Sequence, residues 1–392
     1  MRVAINGAGV AGPTLAWWLL EHGHEPFLVE QAPGLRHGGY VIDFWGLGYD
    51  IAERMGLVPR LRELGYQVEE IRFVDEKGQR AGGFDADVFG RMTGGRFTSL
   101  RRSDLAATIF KAVDGRVETL FGNTVTDIED LGDRLRLDLE HGAPREVDLL
   151  IGADGLHSRI RELVFGPEAD VEHFLDYHVA AFELEGYRPR DELVYVSHAA
   201  PGRQVSRFSM RDDRTLLLFV FHDDYFAGSA PASDAERRAV LRASFGDVGW
   251  ECPRILDGME EAGEIYFDRV SQIRMDRWTS GRVALIGDAA ACVSLLAGEG
   301  TGLAMAEAYV LAGELARSEG DHASAFRRYE NRLRPFLARK QKSAEAFAAS
   351  FAPRTGMGIR FRNLVTRLLR IGPVADWFIG RDLKDDIELP DY

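Results

Sequence analysis

The chain has 392 residues, 45% of them hydrophobic and 28% charged, which is ordinary globular usage and enough length for two domains around a buried ligand. A net charge of −14 with scattered Lys and Arg excludes a nucleic-acid surface, and two cysteines, Cys252 and Cys292, are too few for a disulfide framework or a clustered thiolate metal site. No run approaches the roughly 20 apolar residues that cross a bilayer, so stable membrane insertion is excluded and a cytoplasmic protein is expected.

In chain order, residues 2–6 read as a strand, 10–22 as a helix and 26–30 as a second strand, the opening of a doubly wound α/β sheet. Between strand and helix lies Gly7-Ala8-Gly9-Val10-Ala11-Gly12. The first glycine permits a tight turn, the second lets a pyrophosphate approach the backbone, and the third lets helix and strand pack closely. The helix start adds free N–H groups and partial positive charge. Glu30, at the end of the second strand, is placed to accept from the hydroxyls of an adenosine ribose. These residues predict an ADP-containing dinucleotide without separating NAD from FAD.

Residues 46–65 look helical, 69–74 and 97–100 look like strands, and Ser103 and Asp104 are cap candidates for a following helix. The apolar run 147–151 reads as a strand buried on both faces. After about residue 174 the period changes to strict alternation over 178–184, 193–198, 204–210 and 215–221, the pattern of an antiparallel sheet. A helix at 234–244 interrupts it and a strand at 264–275 closes it. Buried-strand character resumes at 283–286, and 299–349 is nearly all helical.

Two more turns follow buried strands: Gly152-Ala153-Asp154-Gly155-Leu156-His157-Ser158-Arg159-Ile160-Arg161, and Gly287-Asp288-Ala289-Ala290 with Gly298-Glu299-Gly300-Thr301-Gly302 beyond it. At these residues the chain resembles the class A flavoprotein monooxygenases of the para-hydroxybenzoate hydroxylase fold, near polyketide hydroxylases and tetracycline-inactivating monooxygenases. The resemblance spans residues 2 to about 350. It implies an α/β fold: a Rossmann-like FAD-binding domain over 1–174 and 276–350, an antiparallel-sheet substrate lobe over 175–275, and a C-terminal helical tail over 351–392.

The resemblance further implies that Asp288 meets a ribityl hydroxyl of FAD, that Asp154 and Gly155 serve the pyrophosphate region and the nicotinamide donor, and that Arg102 and Arg36 reach phosphate, flavin or adenosine. Gly7, Gly9, Val10, Ala11, Gly12, Glu30 and Val125 complete the nucleotide side, with Gly298, Gly300, Thr301 and Gly302 at the pyrimidine edge of the ring. Physical reasoning agrees, because a carboxylate is repelled by phosphate and suits neutral hydroxyls, whereas the planar fork of arginine suits phosphate. Helix N–H groups at 300–302 are placed to stabilise the negative charge of a reduced ring.

Where the family often carries a histidine, a proline and an asparagine, this chain has Ala291, Val293 or Leu295, and Gly302. Cys292 reads as a small buried thiol and not as a covalent flavin attachment. The implied reaction consumes NAD(P)H and O2, forms a flavin C4a-hydroperoxide and hydroxylates a small aromatic or polyketide-like molecule. No protein side chain is assigned as catalytic, because the cofactor carries the chemistry, and no metal is expected. The aromatic residues of the lobe read as core, and His178 and His222 as structural. The basic pattern from Arg360 to Arg370 reads as a helix packed across the domains or resting on a membrane surface. A flavin-dependent reductase resembling geranylgeranyl reductases, or a non-catalytic FAD-binding protein, stands as the alternative function. Nothing separates a monomer from a homodimer.

Overall fold

The computed structural model describes residues 1–35, 40–226, 228, 230–369 and 385–392, with only the backbone for 346–349. The chain begins with β1 (Arg2–Asn6), α1 (Ala11–Glu21), β2 (Glu25–Glu30), β3 (Val41–Phe44), α2 (Gly46–Arg54) and α3 (Val58–Leu64). There follow β4 (Glu70–Val74), β5 (Arg80–Asp85), α4 (Asp87–Met92), β6 (Thr98–Arg101) and α5 (Arg102–Lys111). Next come β7 (Glu118–Phe121), β8 (Val125–Asp130), β9 (Leu135–Leu139), β10 (Arg145–Val147), β11 (Leu149–Gly152) and α6 (Arg159–Phe165).

The second half adds β12 (Glu172–Glu185), β13 (Val194–Ala200), β14 (Arg203–Ser209), β15 (Arg214–His222), α7 (Asp234–Phe245), α8 (Cys252–Gly258) and β16 (Tyr266–Ile273). It ends with β17 (Thr279–Ser280), β18 (Val283–Leu285), α9 (Asp288–Ala291), α10 (Gly300–Ala316), α11 (His322–Phe351) and α12 (Gly356–Leu368). The helical stretch expected over 46–65 is built of two helices, because the chain turns at Gly56, whose φ of 73° favours glycine.

The main sheet runs β17-β18-β11-β1-β2-β7. Its central strand, β1, is flanked in parallel by β11 and β2, which is why Val3, Ala4 and Ile5 are all apolar and fully buried. In register, Asn6 faces Gly152, and Gly152 faces Leu285. The carboxyl ends of β1, β11 and β18 therefore lie side by side, and the three sequence motifs leave from one edge. In α10, residues 303–315 are buried throughout, so the helix shows no polar face, as a helix enclosed by α1, α2 and α11 requires.

The lobe is a seven-stranded sheet, β16-β12-β15-β14-β13-β4-β5. Two of its strands, β4 and β5, come from within residues 1–174, so the lobe is wider in sequence than 175–275; β4 joins β13 in parallel across a long excursion. Alternation along β12 and β15 sends Phe182, Phe219 and Phe221 to the outer face, against Leu241 and Phe245 of α7 and Ile255 and Leu256 of α8. The other face carries Val179 and Val220 against Leu296 and Ala352, toward the main sheet. The C-terminal part divides: α12 packs on β5 and β13, while residues 385–392 lie on α10 and α11, with Tyr309 Oη donating to the Pro390 carbonyl at 2.7 Å and Lys340 Nζ 2.9 Å from Asp385.

Candidate functional site

The first turn is built by contact with the second. Gly7 has φ 116°, and a Cβ there would sit 2.6 Å from the carbonyl carbon of Ala153. A Cβ on Gly12 would overlap the carbonyl oxygen of Gly7 and stand 3.3 Å from Ile5 Cγ2. Gly9 differs: a Cβ there meets no protein atom within 4 Å. Packing explains Gly7 and Gly12 and leaves Gly9 to a close approach from outside the protein. Val10 and Ala11 open α1, whose N-terminus carries no side-chain cap. Glu30 accepts from the N–H of Ala8 at 2.7 Å and of Ala32 at 2.9 Å, so its half-buried carboxylate stands against the same turn.

Asp154 turns inward. Its carboxylate accepts from Asn6 Nδ2 (3.1 Å), Ser158 Oγ (2.5 Å) and Ile160 N (3.1 Å). Burial raises its pKa against those hydrogen bonds. Asn6, which the sequence reading passed over, also accepts from Val125 N at 3.2 Å and so joins β1, β8 and the second turn. Val125 is fully buried. Gly155 has φ 83° with open space around it.

Arg161, fully buried, ties the second motif to the third by donating to the Ala289 carbonyl at 3.2 Å, to the Leu156 carbonyl at 2.6 Å and to Glu168 at 2.5 Å. Glu168 also holds His157 at 2.9 Å, and His157 reaches Asp268 of β16 at 3.3 Å. Hydrogen bonds to Asp268 and then Glu168 push the His157 pKa up to about 10, so at neutral pH it is an ion-paired latch between motif and lobe.

The third turn is held from below by Glu307 of α10, which accepts from Gly287 N at 2.8 Å and Tyr329 Oη at 3.0 Å. Burial pushes the Glu307 pKa up to about 8. Asp288 is half-buried; burial raises its pKa, and the Arg102 charge opposes the rise. Arg102, first residue of α5, is exposed, and its guanidinium makes no hydrogen bond or salt bridge among the described residues, whereas neighbouring Arg101 turns to Glu183 and Met210. Arg36 lies outside the described residues. Cys292 is buried, and burial beside Asp288 pushes its thiol well up, which suits a packed thiol.

Gly298 is left-handed at φ 71°, and α10 starts at Gly300 without a side-chain cap, leaving its first-turn N–H groups to another acceptor. Gly302 meets Gly48 of α2, where a Cβ on Gly48 would strike the Gly302 backbone, so the starts of two helices converge there. Thr301 is half-buried. Tyr40 and Tyr266 pack 6.0 Å apart on the lobe side. Burial pushes Tyr40 to about 12 and Tyr266 well above its ordinary value, so both stay protonated at neutral pH.

His178 and His222 lie elsewhere. His178 bonds Asp223 at 2.7 Å among outer-face aromatics, and His222 Nδ1 accepts from Asp224 N at 3.1 Å. A cleft of about 470 Å³ between Tyr66 and Asp213, at the β14–β15 turn of the lobe, is lined by none of the motif residues.

A family model described as "FAD binding domain" matches residues 1–340. A flavin-dependent monooxygenase of Legionella longbeachae is 32% identical over 352 residues, covering 90% of this chain and 90% of the relative. An FAD-dependent monooxygenase of Sarocladium schorii is 30% identical, covering 100% of this chain and 98% of the relative. The crystal structure of tetracycline destructase Tet(51) superposes with TM-score 0.83 at 31% identity, covering 100% and 99% of the two chains. Among the described residues no helix is long and apolar enough to cross a membrane, and no group of His, Cys, Asp and Glu is placed to hold a metal ion.

Proposed function

The chain belongs to the FAD-binding domain family and is a flavin-dependent monooxygenase, and from that premise we propose that it draws electrons from NAD(P)H in the cytosol and hydroxylates an aromatic or polyketide-like substrate. The observation that carries the reading is the shared edge: three glycine and acid turns leave adjacent strands and touch one another through Gly7–Ala153 and Arg161–Ala289. One extended dinucleotide matches such a line of turns better than separate ligands would.

The residues fit the cofactor. Gly9 and the open start of α1 receive the pyrophosphate, Glu30 the adenosine ribose and Asp288 a ribityl hydroxyl. Arg102, whose charge reaches Asp288 but which makes no salt bridge among the described residues, faces the phosphates or the ring. The first N–H groups of α10, at Gly300, Thr301 and Gly302, stabilise negative charge at the pyrimidine edge. Asp154 acts through the fold, holding the second turn at its distance, and Gly155 leaves its backbone open to the ligand.

FAD, when bound, supplies the redox chemistry and the activation of oxygen. The chain orients the substrate and excludes water, with Tyr40 and Tyr266 as protonated donors between the third turn and the lobe. The Tet(51) neighbour, named a tetracycline destructase, supports a polyketide-like substrate, since tetracycline is itself a polyketide. The test is to incubate the purified yellow protein under air with NADH or NADPH and a panel of phenols and polyketides, following cofactor oxidation and product mass. A substrate-stimulated oxidation whose product gains one oxygen atom is expected. Products of unchanged mass, or altered by two hydrogens only, would replace oxygen transfer with reduction.

A further inference from the structure

The seven large apolar residues exposed among the described ones are unevenly placed. Phe121, Leu131 and Tyr225 stand singly, whereas Met357, Phe361, Leu364 and Leu368 all belong to α12, at 80%, 68%, 55% and 47% exposure. Their spacing puts them within about 60° of arc at 100° per residue, one stripe along the helix. The opposite side is already used: Thr366 accepts from Gly83 N at 3.1 Å, Asn363 covers Gly82, and Arg362 lies 4.1 Å over the ring of Phe73. Packing on the lobe therefore fixes the helix and turns the apolar stripe outward.

Arg360 and Arg367 lie together along one edge of that stripe, both exposed and neither with a hydrogen-bond or ion-pair partner among the described residues. No acidic residue occurs between 352 and 369. An outward apolar strip edged by cations that have no partner among the described residues is larger than the scattered apolar residues of an ordinary surface.

We propose that this face of α12 rests on an anionic lipid surface, with Met357, Phe361, Leu364 and Leu368 entering the interface and Arg360 and Arg367 at the headgroups. Charge decides the occupant. A second copy docked through the same face would set the arginines of one helix against those of the other with no acid on either helix to compensate. A lipid surface supplies the negative charge, and a helix of 13 residues lying in its plane needs no bilayer-spanning length. With a net charge of −14 on the whole chain, attachment by one short helix is reversible and sensitive to salt.

The test is co-sedimentation of the full-length holoprotein with vesicles of phosphatidylcholine alone or mixed with phosphatidylglycerol, at low and high salt. The wild type is compared with Phe361→Glu/Leu364→Glu and with Arg360→Gln/Arg367→Gln, all checked for FAD content and far-UV circular dichroism. Expected is sedimentation with the phosphatidylglycerol vesicles that weakens with salt, a loss of about tenfold or more in the glutamate variant, and a smaller, salt-insensitive residue in the glutamine variant. Absence of binding to either vesicle overturns the proposal. So does equal binding by wild type and the glutamate variant, or a wild-type dimer that this variant dissociates, which would give the face to a second copy.

Discussion

Gly7, Gly9 and Gly12 stand in one motif for different reasons, and alanine at each position separates them. At Gly7 a side chain meets two costs: φ of 116° is strained for any L-residue, roughly 1–3 kcal/mol, and the Cβ would press on the Ala153 backbone, which cannot rotate away. With overpacking of about 1–3 kcal/mol added, Gly7→Ala loses roughly 2–6 kcal/mol. Gly12→Ala bears only the overlap with the Gly7 carbonyl, about 1–3 kcal/mol. Gly9→Ala has neither cost, because its φ is outside the left-handed region and no protein atom lies within 4 Å. Its apoprotein is expected to be as stable as wild type, or more stable by about 0.4–1 kcal/mol through a less flexible unfolded chain. Its methyl instead occupies the approach of the pyrophosphate, so FAD should bind at least about tenfold more weakly, or about 1.4 kcal/mol. Urea unfolding of the three apoproteins gives the stabilities, and quenching of FAD fluorescence gives the Kd. If the Gly9→Ala apoprotein is as unstable as Gly7→Ala, or if it binds FAD with the wild-type Kd, the assignment of Gly9 to the cofactor is wrong.

Two further outcomes are expected. Burial holds the Glu307 pKa at about 8, above the ordinary 4.5, so the folded state grips the proton; this contribution is full below pH 4.5 and is lost as pH climbs to 8. Glu307→Gln should therefore flatten the decline in apoprotein melting temperature between pH 5 and pH 8.5, a difference on the order of a few kcal/mol, and parallel wild-type and variant profiles would rule the buried proton out. Arg161→Met removes the buried guanidinium, leaving the partly exposed Glu168 to His157 and the Ala289 and Leu156 carbonyls unsatisfied, which should cost roughly 1–3 kcal/mol with incomplete rescue by Arg161→Lys, whose single ammonium cannot reproduce the fork; a variant melting with wild type would show that the bridge does not join the second and third turns.

The legible part of the molecule was the part written in local conformation. Glycines at 7, 9 and 12, the all-apolar β1 and β11, and the alternation of β12 and β15 each report a constraint met within a few residues, so strand, turn and sheet type follow from reading along the chain. The aromatic residues of the lobe likewise follow the alternation into the core, as Phe182, Phe219 and Phe221 do.

Which partner a polar side chain takes, and which sheet a strand joins, were settled only by distant parts of the chain coming together. Asp154 stands in a ligand-binding motif, yet its carboxylate is taken by Asn6, 148 residues away, and by its own helix start. Arg101 and Arg102 are neighbours in sequence, but one turns to Glu183, while the other makes no salt bridge among the described residues and its charge reaches Asp288 instead. The strands β4 and β5 cross to the lobe because β13 offers a parallel edge 124 residues later, as at Glu70 and Val194. The periodicity of α12 showed an amphipathic helix but not which side would find the lobe. Burial and pairing are properties of the assembled neighbourhood, and a linear pattern specifies only that a demand exists.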